Sequence, residues 1–356
     1  MTDAQKAAAT RATPPQSIGS VAFGLIALTI AALIYACIAA IGNEYLYFAS
    51  YVVLQFVVLA TAWNILGGYC GYVNFGSAAF FAMGAYTTVC VYTLGSELAS
   101  TWAGHLVASI PPTVLLLLLV VFGGGVAGLV GLGMGYLTLR LRGVFFSIAT
   151  LALSVVLQTL VTNWDFVGGS RGAYVIRPSE LPWLPGGFVA YLFLVMLVLA
   201  VIALTAARSI ERSRLGFGFA AIRDDEMAAE AAGVPTLRLK LVATTISGAL
   251  MGMAGAPFPY YIGYLQPQSA FGLEYAVNAI AMPMIGGTQT WLGPLIGAVV
   301  LGAFQQWATV SISSVLNLMI VGLLLIVFVV IAPNGIVGFL RGWRRRPQAS
   351  STGVGQ

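Results

Sequence analysis

The sequence predicts an all-α polytopic membrane protein of about ten membrane-spanning helices, short or re-entrant ones included, with cytoplasmic N and C termini. Three observations carry this reading. First, the 356 residues hold 8% charged side chains against 59% hydrophobic ones, where soluble domains carry about 25% charge. So few charges cannot cover a soluble surface, and a disordered chain would be polar and charge-rich. Second, apolar runs of about 20 residues, the length that crosses the hydrocarbon core, recur along the chain. Third, the basic residues gather in alternate connections between those runs.

In chain order the candidate spans are roughly 18–41, 47–66, 78–92, 112–139, 144–162, 188–206, 241–261, 275–285, 293–310 and 316–331. In the first, Ala36-Cys37 faintly resembles a lipoprotein cleavage site, but the run is long for a signal h-region and reads as an uncleaved span. The third and eighth are short and flanked by glycines. A re-entrant or broken segment there is tolerated only if it is buried in protein or lines a cavity. The fourth is long enough to tilt. Glycines four apart (Gly124/Gly128, Gly131/Gly135, Gly248/Gly252, Gly293/Gly297) would permit close helix approach, although 42 glycines also produce such pairs by chance.

Orientation follows from Lys and Arg. With ten crossings and a cytoplasmic N-terminus, fourteen of the 16 basic residues fall inside and only Arg171 and Arg177 outside, as the positive-inside rule demands. The chain then divides into a cytoplasmic tail 1–17, a transmembrane domain 18–340 with a cytoplasmic loop 207–240, and a cytoplasmic tail 341–356.

Composition excludes much chemistry. The single histidine, His105, rules out an HExxH zinc site and reads as an interfacial residue near a span end. Neither lysine, Lys6 or Lys240, sits in a phosphate-binding GxxxxGK[ST] loop, so the chain itself should not hydrolyse ATP. Cys37, Cys70 and Cys90 have no metal-like spacing and read as buried thiols. No basic stripe interleaves with aromatics, which argues against nucleic acid.

Two polar segments stand out. Residues 163–187 would lie outside, with Trp164 and Trp183 at the interface. Residues 207–240 would lie inside. Their centre, 219–232, predicts one helix with a modest apolar face of Phe219, Ile222 and Met227 beside Ala220 and Ala231. Gly233 and Pro235 would stop it. The spans themselves are almost free of ionisable groups, whereas proton-coupled pumps place carboxylates or histidines in the bilayer. This layout fits a permease driven by separate ATPase subunits, with the loop helix as the docking face. A secondary transporter coupled to ions through backbone carbonyls and a non-transporting scaffold are the alternatives.

Several blocks carry a resemblance. Arg214-Leu-Gly-Phe-Gly-Phe-Ala-Ala-Ile-Arg-Asp-Asp-Glu-Met-Ala-Ala-Glu-Ala-Ala-Gly-Val234 resembles the cytoplasmic loop of branched-chain amino-acid ABC transporter permeases of the LivM/LivH type, and its Glu230-Ala231-Ala232-Gly233 is similar to a shortened EAA signature. Residues 71–86, 139–151 with Gly168-Gly169, 285–298 and 332–340 resemble the family's early, central, late and C-terminal blocks. The resemblance covers about 67–342 and rests on the order and spacing of the blocks. It implies an inner-membrane importer subunit for branched-chain or similar small amino acids. It also implies a second homologous permease subunit, two cytoplasmic ATPases carrying ATP and Mg, a periplasmic binding protein, and no cofactor on this chain. The coupling residues it implies are Arg214, Phe219, Ile222, Arg223, Asp224, Asp225, Glu226, Met227, Glu230, Ala231 and Gly233. The family often has Ser and His where this chain has Asn74 and Ser77, and relatives also move urea, short amides and aromatic acids, so the substrate stays open.

Polar groups inside the spans are the translocation-path candidates: Asn74, Ser77, Thr150, Ser154, Gln158, Thr244, Thr245, Ser247 and Asn278. Hydroxyls among them can instead bond back to their own helix.

Overall fold

A computed structural model describes residues 19–97, 109–178, 186–311, 322–323 and 335–338. The expected tails 1–17 and 341–356, His105, Trp183 and nearly all of the tenth expected span lie outside the described residues. Within them the chain is helical: α1 Ser20–Ile41, α2 Glu44–Asn64, α3 Ser77–Glu97, α4 Pro112–Thr138, α5 Val144–Thr162, α6 Gly187–Glu211, α7 Arg214–Asp224, α8 Glu226–Ala231, α9 Thr236–Gly255, α10 Phe258–Ile262, α11 Pro267–Ala270, α12 Leu273–Gly286 and α13 Leu292–Ser311.

Seven of these stretches are long and apolar enough to cross a membrane, and they match the first seven expected spans. The third, α3, runs 21 residues without a break. The eighth, α12, is 14 residues long with Pro283 inside it. At 1.5 Å per residue it reaches about 21 Å, less than the hydrocarbon core of about 30 Å. Span two ends in an unanticipated π-turn, Ile65–Tyr69. Span seven continues past the Ala256-Pro257 step into α10.

Helix α2 is the axis of the bundle and packs against α6, α9, α12 and α13. Its residues from Phe56 to Asn64 are all buried. By contrast α1 and α5 lie at the edge, with 6% and 22% of their apolar windows buried. Lipid is as apolar as leucine, so close van der Waals packing rather than hydrophobic burial must hold such helices together. The glycine spacings supply that packing. A Cβ on Gly84 of α3 would strike the Gly252 carbonyl of α9, and one on Gly131 of α4 would sit 3.0 Å from the Thr244 carbonyl. On α13, a Cβ on Gly297 would strike the Met282 carbonyl of α12. All four glycine pairs therefore lie in real seams.

The segment after α5 folds against the α10 end. Strand β1, Ala173–Tyr174, pairs antiparallel with β2, Tyr264–Leu265. Arg177 donates Nε to the Tyr260 carbonyl at 2.7 Å and Nη2 to that of Tyr261. Tyr51 stacks on Tyr261 at 4.5 Å and Phe81 on Tyr275 at 4.6 Å.

Candidate functional site

The polar segment between α6 and α9 folds as an elbow of two helices. Ser213 accepts the Gly216 N–H and caps α7. Phe219 and Ile222, one turn apart, are buried and anchor it. At Asp225 the backbone turns extended, and the carboxylate accepts the Ala228 N–H at 3.0 Å to cap α8. The single helix expected over 219–232 is thus corrected to two. An aspartate beside helix-forming residues caps better than it continues. The break also overturns the expected apolar face, because Met227 is 68% exposed while Phe219 and Ile222 are buried. Gly233 stops α8 as expected. Its φ of +85° suits glycine, and the Val234 and Gly233 N–H groups bond to the Ala229 and Glu230 carbonyls in the double pattern of a Schellman cap.

The elbow is pinned by charge. Lys240, in the second turn of α9, is 2% exposed. An ammonium has three protons to give, and all three are placed: to Glu226 Oε1 at 2.7 Å, Tyr72 Oη at 3.2 Å and the Leu139 carbonyl at 3.2 Å. Tyr72 in turn donates to Glu226 Oε2. Arg142 lies 3.7 Å from Glu226 and 3.3 Å from Glu230, and Thr236 donates to Glu230 at 2.7 Å. One cluster thereby joins α8 to α9, to the α4–α5 turn and to the α2–α3 connector.

Burial works to raise the Glu226 carboxyl. Hydrogen bonds from Lys240 and Tyr72 and the charges of Lys240 and Arg142 outweigh it, and the group is held below its ordinary value. Burial, then the Glu226 hydrogen bond and charge, raises the Tyr72 phenol, which keeps it a donor.

A second tie lies at the end of α6. Glu211 accepts the Trp291 N–H at 2.8 Å and the Tyr69 hydroxyl at 3.4 Å. The Arg208 guanidinium sits 4.0 Å over the Phe23 ring and 5.5 Å over Trp291. The end of α6 is thus tied to the π-turn, to α1 and to the α12–α13 turn.

Of the expected coupling residues, Phe219, Ile222 and Glu226 face inward. Arg214, Asp224, Asp225, Met227, Glu230, Ala231 and Gly233 face out. Arg223 is exposed as well and pairs with its neighbour Asp224 at 3.3 Å. Tyr72, Arg142, Glu211 and Lys240 are the residues sequence reasoning missed. Lys240 and Arg142 had signalled only orientation, yet each lies within one turn of a span end, where a basic side chain can reach back into the fold.

The path candidates do not form one group. Asn74 and Thr150 meet at the α2–α3 connector. Asn74 Oδ1 accepts the Gly76 N–H at 2.7 Å, and Thr150 Oγ1 accepts the Phe75 N–H at 3.2 Å. Thr244 and Thr245 bond back to the Lys240 and Leu241 carbonyls. Asn278 accepts from Gln305 across α12 and α13 at 2.9 Å. Ser154 is buried on the inner face of α5 and Gln158 half-buried. The hydroxyls of Ser77 and Ser247 are buried without a hydrogen-bond partner among the described residues, as are polar atoms of Gln55 and Thr61 on α2, which the sequence had not marked out.

The chain is 25% identical to the high-affinity branched-chain amino acid transport system permease protein LivM of Escherichia coli, over 80% of this chain and 68% of that one. It is 26% identical to the LivM of Salmonella typhimurium over the same shares. The autoinducer 2 import system permease protein LsrC of an Enterobacter species is 30% identical over 45% of this chain and 46% of its own length. No solved structure gives a significant match. The model of the family described as branched-chain amino acid transport system, permease component, matches residues 45–329, and the chain belongs to that family of multi-pass inner-membrane ABC permease subunits, which are transport components and not enzymes.

Proposed function

We propose that this subunit carries branched-chain or similar small amino acids inward, with the α7–α8 elbow as the place where ATPase motion enters. The observation that supports this is the buried Lys240–Glu226 pair with Tyr72. A helix lying on the surface for docking alone would need no such tie to three membrane elements. In this reading the elbow faces the cytoplasm within loop 207–240. Arg214, Asp224, Asp225, Met227, Glu230, Ala231 and Gly233 meet an ATPase, and Arg223 lies behind them at the recess. Phe219, Ile222 and Glu226 hold the elbow to the bundle. Two ATPase subunits carry ATP and Mg, a second homologous permease completes the pathway, and a periplasmic binding protein delivers the solute. Asn74, Ser77, Thr150, Ser154, Gln158, Thr244, Thr245, Ser247 and Asn278 contribute polarity to the path or its support. The LivM relatives favour amino acids. The LsrC relatives favour a second reading, autoinducer import, over the part of the chain they match.

The test is ATP-driven uptake in proteoliposomes holding both permeases, the ATPases and the binding protein. Glu230→Lys, which reverses an exposed charge, should abolish uptake while the chain remains inserted. Unimpaired uptake would count against the coupling role. Uptake by the chain alone, abolished by a protonophore, would instead establish a secondary transporter.

A further inference from the structure

A recess of about 400 Å³ lies beneath the elbow, between the α2–α3 connector, the start of α5 and α7. Its lining is unbalanced in charge. Arg142 and Arg223 both face it, and Glu226 is the acid that does. Glu226 is already committed to Lys240 and Tyr72, so that pair is neutral. Arg142 meets its acids at 3.3 and 3.7 Å and Arg223 meets Asp224 at 3.3 Å. These are longer than the roughly 2.7–2.9 Å of strong charge-assisted bonds, and Asp224 is itself 74% exposed. A guanidinium has five N–H donors, and these contacts engage Nε and Nη2 of each arginine, so both retain donors for an anion.

Val73, Val144 and Ile222 supply apolar wall, beside the polar Tyr72 and Ser147. Val144 also begins the outward face of α5, where Phe145, Ile148, Val155 and Val156 are all exposed. The recess thus opens onto a strip suited to an acyl chain. We propose that it binds the headgroup of an anionic phospholipid, with the phosphate between Arg142 and Arg223 and one chain along α5. Guanidinium groups match phosphate oxygens in bidentate fashion, and basic pockets between membrane helices hold anionic headgroups. A free amino acid suits the recess less well, because Glu226, the acid of its lining, already accepts from Lys240 and Tyr72.

The test places the full chain in nanodiscs of equal phosphatidylcholine and phosphatidylglycerol and reads retained lipid by native mass spectrometry. Phosphatidylglycerol should be enriched about tenfold. The R142Q/R223Q double variant should fall to parity. R223Q alone, which leaves the Glu226 contacts untouched, should lose about half of that enrichment on a logarithmic scale. R140Q, on the same turn but outside the recess, should retain it. Absent enrichment in the unaltered chain, or enrichment that survives the double variant, overturns the proposal. So does saturable binding of inorganic phosphate or free leucine in phosphatidylcholine discs that the double variant abolishes.

Discussion

At the elbow end, one buried ammonium gives its three protons to a loop helix, a connector and a helix terminus. At the opposite end, Arg177 bonds to backbone carbonyls of α10, β1 pairs with β2, and rings stack, Tyr51 on Tyr261 and Phe81 on Tyr275. The first arrangement is directional. Moving Glu226 moves Lys240 and Tyr72 or breaks bonds that burial makes costly. Ring packing is tolerant of small shifts and spreads its energy over many weak contacts. The difference teaches where rigid linkage was needed. The elbow is joined to the bundle through a buried ion pair, whereas the far end is held by a two-residue ladder and ring packing.

The contrast can be broken most forcefully at Lys240. Lys240→Met strands Glu226 in a largely buried site and should cost about 3–5 kcal/mol, seen as a large fall in thermal stability and loss of uptake. Tyr261→Leu at the other end removes a ring stack but keeps an apolar body. It should cost about 0.5–1.5 kcal/mol beyond lost area and leave ATP-coupled uptake measurable.

Acid sharpens the same contrast. Because the folded Glu226 carboxyl is depressed, its stabilisation is complete above the ordinary carboxyl value of about 4.3 and is lost as pH falls through the lower folded value. Hydrogen exchange should therefore loosen at α8 before α10 and β2 as pH drops below about 4. Equal loosening at both ends would remove the distinction. The smallest effect is expected at Arg142, whose side chain is 52% exposed. Arg142→Gln should cost under about 1 kcal/mol in the same thermal measurement.

Much of the fold could be read from the sequence because hydrocarbon thickness imposes a fixed length on apolar runs. The seven long spans and the Gly233 stop followed from length, polarity and glycine chemistry. The π-turn at Ile65–Tyr69 and the break at Asp225 did not, since each depends on local hydrogen bonds that compete closely with a continued helix. The candidate site was legible as a place but not as a mechanism. The block 214–234 marked the loop, while Lys240, Tyr72 and Arg142 become partners only when three distant segments meet. Similarly, the path candidates Thr150 and Asn74 accept hydrogen bonds from the connector backbone, which their residue types alone did not reveal. A short polar side chain in a span looks the same in sequence whether it faces a path or its own backbone.

The central claim is that Lys240 and Glu226 act as one joint between the elbow and the bundle. A double-mutant cycle on thermal stability tests it most directly, using Lys240→Met, Glu226→Met and the two together. If the pair is the joint, each single variant is badly destabilised by the charge it strands. The double variant should then be less destabilised than the sum of the two singles, by an interaction energy of about 2–3 kcal/mol. Effects that simply add, to within about 0.5 kcal/mol, would contradict it.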